Sequence, residues 1–238
     1  MIIVTGCGRS GTSAVARILH TSGLPVGRDL IEPDAGNAEG YFEERPIIEV
    51  NERILFAAGL HEAYASATRE QVSAAAVPFL DDMRALAANA TPAWKDPRFC
   101  WTLEAWLDVL PEAPRIVVCL RSPSEVVAST LTYYGQTGAE PARAVEHTWR
   151  SEYARLLEII DAFSLDAISI EFGDLHRHPR RAVRGLERFL DRPLEVSGVR
   201  ADLRHHTAPI PAQFAAPYEQ VRSLADRWRV PGQAAAAP

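Results

Sequence analysis

The stretch from Ile2 to Ser13 constrains this chain more than any other. Ile2-Ile3-Val4-Thr5 is rich in β-branched residues and predicts a short buried strand. Gly6-Cys7-Gly8-Arg9-Ser10-Gly11 follows as a loop, and Thr12–Ser22 then carries Val15, Ile18 and Leu19 on one helical face. A strand that runs through a glycine-rich loop into a helix is also a site for an anion. Glycine allows the backbone a close approach. The helix start offers unpaired N–H groups and the positive end of the dipole. Ser10, Thr12 and Ser13 add hydroxyl donors, and Arg9 adds a fixed charge with a bidentate fork. Gly6 and Gly11 keep the spacing of the phosphate-binding loop Gly-x-x-x-x-Gly-Lys-Ser/Thr, but Thr12 stands where its lysine belongs.

The rest of the chain repeats the strand, loop, helix order. Residues 28–45 are irregular and polar. Helices are expected over Pro46–Leu60, over Gln71–Ala90 with a kink near Pro78, and over Thr102–Leu110. Arg115–Leu120 is a continuous apolar run and reads as a central strand. Ser122 is placed to cap the next helix, with Pro123 in its first turn and Glu125 completing a capping box. Pro141–Phe163 is a long amphipathic helix, Ala167–Glu171 a strand, and Pro179–Leu190 and Tyr218–Trp228 are helices. Alternating elements with apolar strands argue for an α/β fold of three layers, with a mostly parallel sheet flanked by helices. No linker divides residues 1–230, which are expected to form one domain, and residues 231–238 form an alanine-rich disordered tail.

Composition narrows the function. The 238 residues carry a net charge of −6, so a general electrostatic grip on nucleic acid is not expected. No apolar run approaches the ~18 residues that span a bilayer. No signal segment is visible, and Cys7, Cys100 and Cys119 lack the pattern of a disulfide or zinc framework. A reduced, cytoplasmic protein is therefore expected, with no membrane partner. Of the 25 basic residues, one alone is lysine, Lys95. Its compact ammonium does work that guanidinium does less well.

The second anion anchor is Arg121, at the end of the central strand. Ligands of open α/β sheets bind beyond the carboxyl ends of strands. Ser129 lies seven residues after Ser122, on the same helical face. Arg121 and Ser129 can converge on one anion. A phosphotransferase would want an acid here to hold magnesium.

With these residues in place, the chain resembles the sulfotransferases that use 3′-phosphoadenosine 5′-phosphosulfate (PAPS), and most closely the bacterial and tyrosylprotein types. Cys7 to Ser13 is similar to the family's 5′-phosphosulfate loop, with Arg9 at its basic position. Arg121 and Ser129 have the spacing of its 3′-phosphate motif. Trp94-Lys95-Asp96-Pro97-Arg98 resembles its Lys-Asp-Pro stretch, where the lysine sits at the reacting sulfuryl group. Ile168–Leu190 resembles its late strand and Pro-led helix, with Phe172 replacing a tyrosine that stacks on adenine. Asn37 to Arg45 also looks like bacterial members. The resemblance implies a P-loop-like fold and metal-independent transfer from PAPS, with adenosine 3′,5′-bisphosphate (PAP) as product. The acceptor would be a hydroxyl of a small molecule or carbohydrate.

The resemblance further implies a general base. Glu43-Glu44-Arg45 is similar to the Glu-Glu stretch of the tyrosylprotein enzymes. Adjacent carboxylates on an extended segment point to opposite sides, so one of the two can serve. Glu43 is the first candidate, Glu44 the second and Glu39 the third, with His61 the base of an alternative arrangement. None of the seven histidines, His205-His206 included, has metal-ligand spacing. A kinase using ATP and magnesium, and a non-catalytic nucleotide-binding protein, are the competing readings. The oligomeric state, monomer or homodimer, stays open.

Overall fold

The computed structural model describes residues 1–34, 36–61, 64–196 and 208–228. The expected tail and the His205-His206 pair lie outside the described residues. Four strands form one parallel sheet: β1 (Ile2–Thr5), β2 (Ala93–Lys95), β3 (Arg115–Leu120) and β4 (Ala167–Glu171), in the order β2-β1-β3-β4. The register sets Val4 beside Lys95 and Val117, and Leu120 beside Glu171. All four strands therefore end on one side of the molecule.

Each strand divides its side chains between two cores, because alternate residues face opposite sides of a sheet. Ile3, Ile116, Val118 and Leu120 face one core, together with α2 (Arg45–Ala57), α3 (Arg69–Ala76), α5 (Phe99–Leu107), α7 (Ala139–Ala162) and α10 (Ala215–Arg222). Ile2, Val4, Val117, Cys119, Ile168 and Ile170 face the other, with α1 (Thr12–Thr21) and α9 (Pro179–Leu190). The expected three-layer arrangement follows from that alternation.

Several expectations need correction. The helix expected over Gln71–Ala90 is split into α3 and α4 (Leu80–Ala88) by a 3₁₀ turn at Val77–Phe79, since Pro78 lacks an N–H and cannot continue the ladder. β2 and α8 (Phe172–Arg177) were not expected; a strand of three residues shows no period. The last helix begins at Ala215 and turns 3₁₀ after Arg222. Ser122 does cap α6 (Pro123–Tyr134) by position, but its hydroxyl is buried without a partner among the described residues. No capping box forms there. Glu125 instead meets Arg121 Nε at 3.0 Å, one turn earlier, because a guanidinium is a stronger partner than a backbone N–H.

Candidate active site

A cavity of ≈ 1820 Å³ opens where the strands end. Its floor is the loop between β1 and α1. Gly6 and Gly11 both have positive φ, 137° and 93°. A Cβ on Gly6 would stand 2.3 Å from the Cys119 carbonyl oxygen, and one on Gly11 would stand 2.4 Å from the Phe172 ring. The loop is thus packed too closely for any side chain at either position. Gly11 precedes α1, and no side chain caps the helix. The Ala14 N–H returns to the Gly11 carbonyl at 3.1 Å, and those of Thr12 and Ser13 are the first-turn donors that a ligand could meet. Gly8, Arg9, Gly11, Thr12 and Ser13 line the cavity. Ser10 is buried beneath the loop, where its N–H donates to the Cys7 carbonyl at 3.1 Å and closes the turn; it is not among the described residues that line the cavity.

The sheet order brings both other anchors to this loop. Lys95, at the end of β2, is 2% exposed and its Nζ lies 3.4 Å from Ser13 Oγ. The strand beside β1 thus supplies the ammonium that Thr12 does not. Arg121, just past β3, donates from Nη1 to the Arg9 carbonyl at 3.0 Å, and its guanidinium covers the Phe172 ring at 4.1 Å. Arg9 Nε donates to Ser129 Oγ at 3.3 Å, and its guanidinium stacks over Tyr133 at 4.5 Å. Arg9, Ser13, Lys95, Arg121, Ser129 and Phe172 therefore form one continuous group. Two bonds from α7 hold the end of β3 in place: Tyr153 Oη to the Cys119 carbonyl at 2.6 Å, and Trp149 Nε1 to the Arg121 carbonyl at 3.0 Å.

The two adjacent glutamates separate as an extended segment requires. Glu43 turns inward, buried, with Oε1 paired to Lys95 Nζ and Oε2 3.5 Å from Arg98 Nη1. Glu44 turns the other way and accepts from the Arg28 N–H at 3.3 Å; it is not among the described residues that line the cavity. Burial pushes its carboxyl up. Glu39 lines the cavity in an ion pair with Arg17. His61 stacks on Phe56 at 4.5 Å and is not among the cavity's described residues, so the histidine arrangement is not formed at this site.

Several residues here were not singled out from sequence. Asn51 on α2 donates to Asp96 Oδ2 at 2.9 Å and accepts from Thr102 and Trp106, each at 2.8 Å. Asp96 in turn accepts from the Arg98 N–H and Nη1, both at 2.9 Å. This buried network orients the turn that follows Lys95 and directs Arg98 toward Glu43. Asn37 Nδ2 reaches Ser13 Oγ at 3.3 Å, and Tyr41 Oη bonds Asp34 at 2.7 Å and Tyr133 at 2.9 Å. Residues 34 and 36–41 thus line the cavity beside the first loop and α6. Glu152 on α7 also lines the cavity, and burial raises its carboxyl to about 7. It had a legible signal: with Trp149, Tyr153 and Leu156 it falls on the apolar stripe of its helix.

Among the described residues no group of three or more His, Cys, Asp or Glu is placed to hold a metal ion, and no helix is long and apolar enough to cross a membrane. Trp101 and Trp106 are buried in the core rather than on the cavity wall.

Residues 2–196 match the sequence model described as the sulfotransferase family. No curated protein matches the chain closely in sequence. Among solved structures, the sulfotransferase domain from the Synechococcus PCC 7002 olefin synthase is similar at a TM-score of 0.51 and 16% identity, covering 99% of this chain and 89% of that one. At that identity the likeness is one of fold.

Proposed function

The chain belongs to the sulfotransferase family, and from that premise we propose that it moves a sulfuryl group from PAPS to a hydroxyl of a small-molecule or carbohydrate acceptor by in-line displacement. The observation that carries this reading is the convergence of Arg9, Lys95, Arg121 and Ser129 on the uncapped start of α1.

The residues present fit such a donor. The glycine cradle admits an anion at the backbone, and the cations stand on two sides of it. Arg121 and Ser129 would hold the 3′-phosphate. The N–H groups of Gly11 to Ser13 would hold the 5′-phosphosulfate, since that of Ser10 is spent on the Cys7 carbonyl. Phe172, with the Arg121 guanidinium over its ring, would offer its edge to adenine. When bound, PAPS supplies an activated sulfuryl group, and its departure leaves PAP.

The protein's own work is positioning and charge stabilisation. Lys95 stands between the cradle and Glu43, within reach of both. It can neutralise the sulfuryl oxygens on one side while Glu43 accepts the acceptor proton on the other. Arg98 holds Glu43 Oε2 in place for that role. Arg9 counters charge at the bridging oxygen.

Calorimetric titration with PAP, with chelator present, tests the donor site. Arg121→Ala should weaken PAP binding at least tenfold, about 1.4 kcal/mol, and leave adenosine 5′-phosphate binding within a factor of about two. Equal losses for both ligands would overturn the 3′-phosphate assignment.

A further inference from the structure

Glu152 has no task in the reaction above. It stands on α7 one turn past Thr148, and both line the cavity. Its Oε2 is shut off from solvent and makes no hydrogen bond among the described residues. The elements packed against it do not meet its charge. Cys7 of the first loop offers it a thiol, a weak hydrogen-bond donor that does not neutralise a carboxylate, Cys100 of α5 is a second thiol nearby, and Asp96 is a like charge. Arg98 is the facing cation, and it is already held by Glu43, Glu52 and Asp96. Buried carboxylates are ordinarily paired or hydrogen-bonded. One left unmet on a cavity wall is a place for a ligand's donor group.

We propose that Glu152 anchors the acceptor, taking a hydrogen bond from an ammonium group that the acceptor carries in addition to the hydroxyl to be sulfated. The inference rests on reading this cavity as a sulfotransferase site. A hydroxyl at Glu152 would make the hydrogen bond and leave the carboxylate charge unmet. An ammonium meets both requirements with one charge-assisted bond. Glu32 and the exposed ring of Tyr134, which also line the cavity, are further groups that favour a cation. Glu152 is thereby a specificity-determining residue, separate from the Lys95–Glu43 pair that serves the transfer.

The test uses two probes that differ at one group: tyramine, and 4-propylphenol, which has a methyl where tyramine has its ammonium. Affinities are measured for the full chain, free and saturated with PAP, at pH 6 and pH 8, in wild type and Glu152→Gln. The wild type should prefer tyramine by about tenfold or more at pH 8. That preference should fall about tenfold at pH 6, where binding the cation must first displace a proton from Glu152. Glu152→Gln keeps the shape and should lose the preference at both pH values. If that variant fails to fold, the wild-type pH dependence decides alone. Equal affinity for the two probes, no binding of tyramine, or a preference that survives in Glu152→Gln would overturn the proposal. Tyramine selectivity in a protein that binds no PAP would instead sink the sulfotransferase reading and leave the subsite standing.

Discussion

At the scale of single residues, Lys95 shows how much the surroundings decide. It is buried, and a buried ammonium is costly unless paired. Glu43 pairs with it, and Ser13 receives a further hydrogen bond. This arrangement keeps the charge against the cradle without leaving it exposed to water, where its interactions would be screened. Lys95→Ala should lower turnover by about a hundredfold or more, the size of loss seen when one preorganised donor is removed from a transition state. PAP affinity should change far less, because PAP lacks the sulfuryl group. Single-turnover kinetics alongside PAP titration would check this. An unchanged rate would remove Lys95 from the chemistry. Glu43 and Glu44 make the complementary point. The sequence places them side by side, and the extended backbone sends one to the cavity and one to the opposite side.

At the scale of elements, the turn between β1 and α1 does two jobs. It exposes N–H groups to a ligand, and it lets Phe172 of α8 pack directly on the backbone at Gly11. That contact ties the loop to β4, which β3 separates from β1. Gly11→Ala would put a methyl into the Phe172 ring and a side chain at a φ of 93°. The expected result is a loss of roughly 1–3 kcal/mol of stability, together with weaker PAP binding as Phe172 and Arg121 shift. Chemical denaturation and titration of the same variant would measure both. A variant as stable and as tight as wild type would show that the loop tolerates a wider spacing. α7 acts as a brace of similar importance. Its Trp149 and Tyr153 hold the last carbonyls of β3, and the same helix carries Glu152 to the cavity.

At the scale of the whole molecule, the cavity costs stability. Glu152 rises from an ordinary 4.5 to about 7 because burial penalises its charged form. The folded state therefore holds this proton more tightly than the unfolded chain does. Between about pH 4.5 and 7 the native state binds more protons, so the contribution of Glu152 to stability falls as pH rises. Glu152→Gln should melt with the wild type near pH 5 and a few degrees above it at pH 8. A difference in melting temperature that stays constant across that range would mean that the carboxyl is not held neutral.

The local elements were legible in the sequence because they obey local rules. The β-branched run at Ile2–Thr5, the glycines at positions 6 and 11, and the apolar run at Arg115–Leu120 each settle their own backbone. Arg9, Arg121 and Ser129 followed from those elements, and Lys95 from being the lone lysine and from its Lys-Asp-Pro context. What the sequence by itself determined was thus an α/β fold with a glycine-rich first turn, the cradle of the proposed donor site, and a set of basic residues to face it. It did not determine which strand lies beside which. The order β2-β1-β3-β4 is set by burial of both sheet faces at once, over chain separations that no local pattern spans. That order puts Lys95 beside the first loop, while the packing of the segment before α2 turns Glu43 rather than Glu44 toward it and the packing of α7 brings Glu152 to the same cavity.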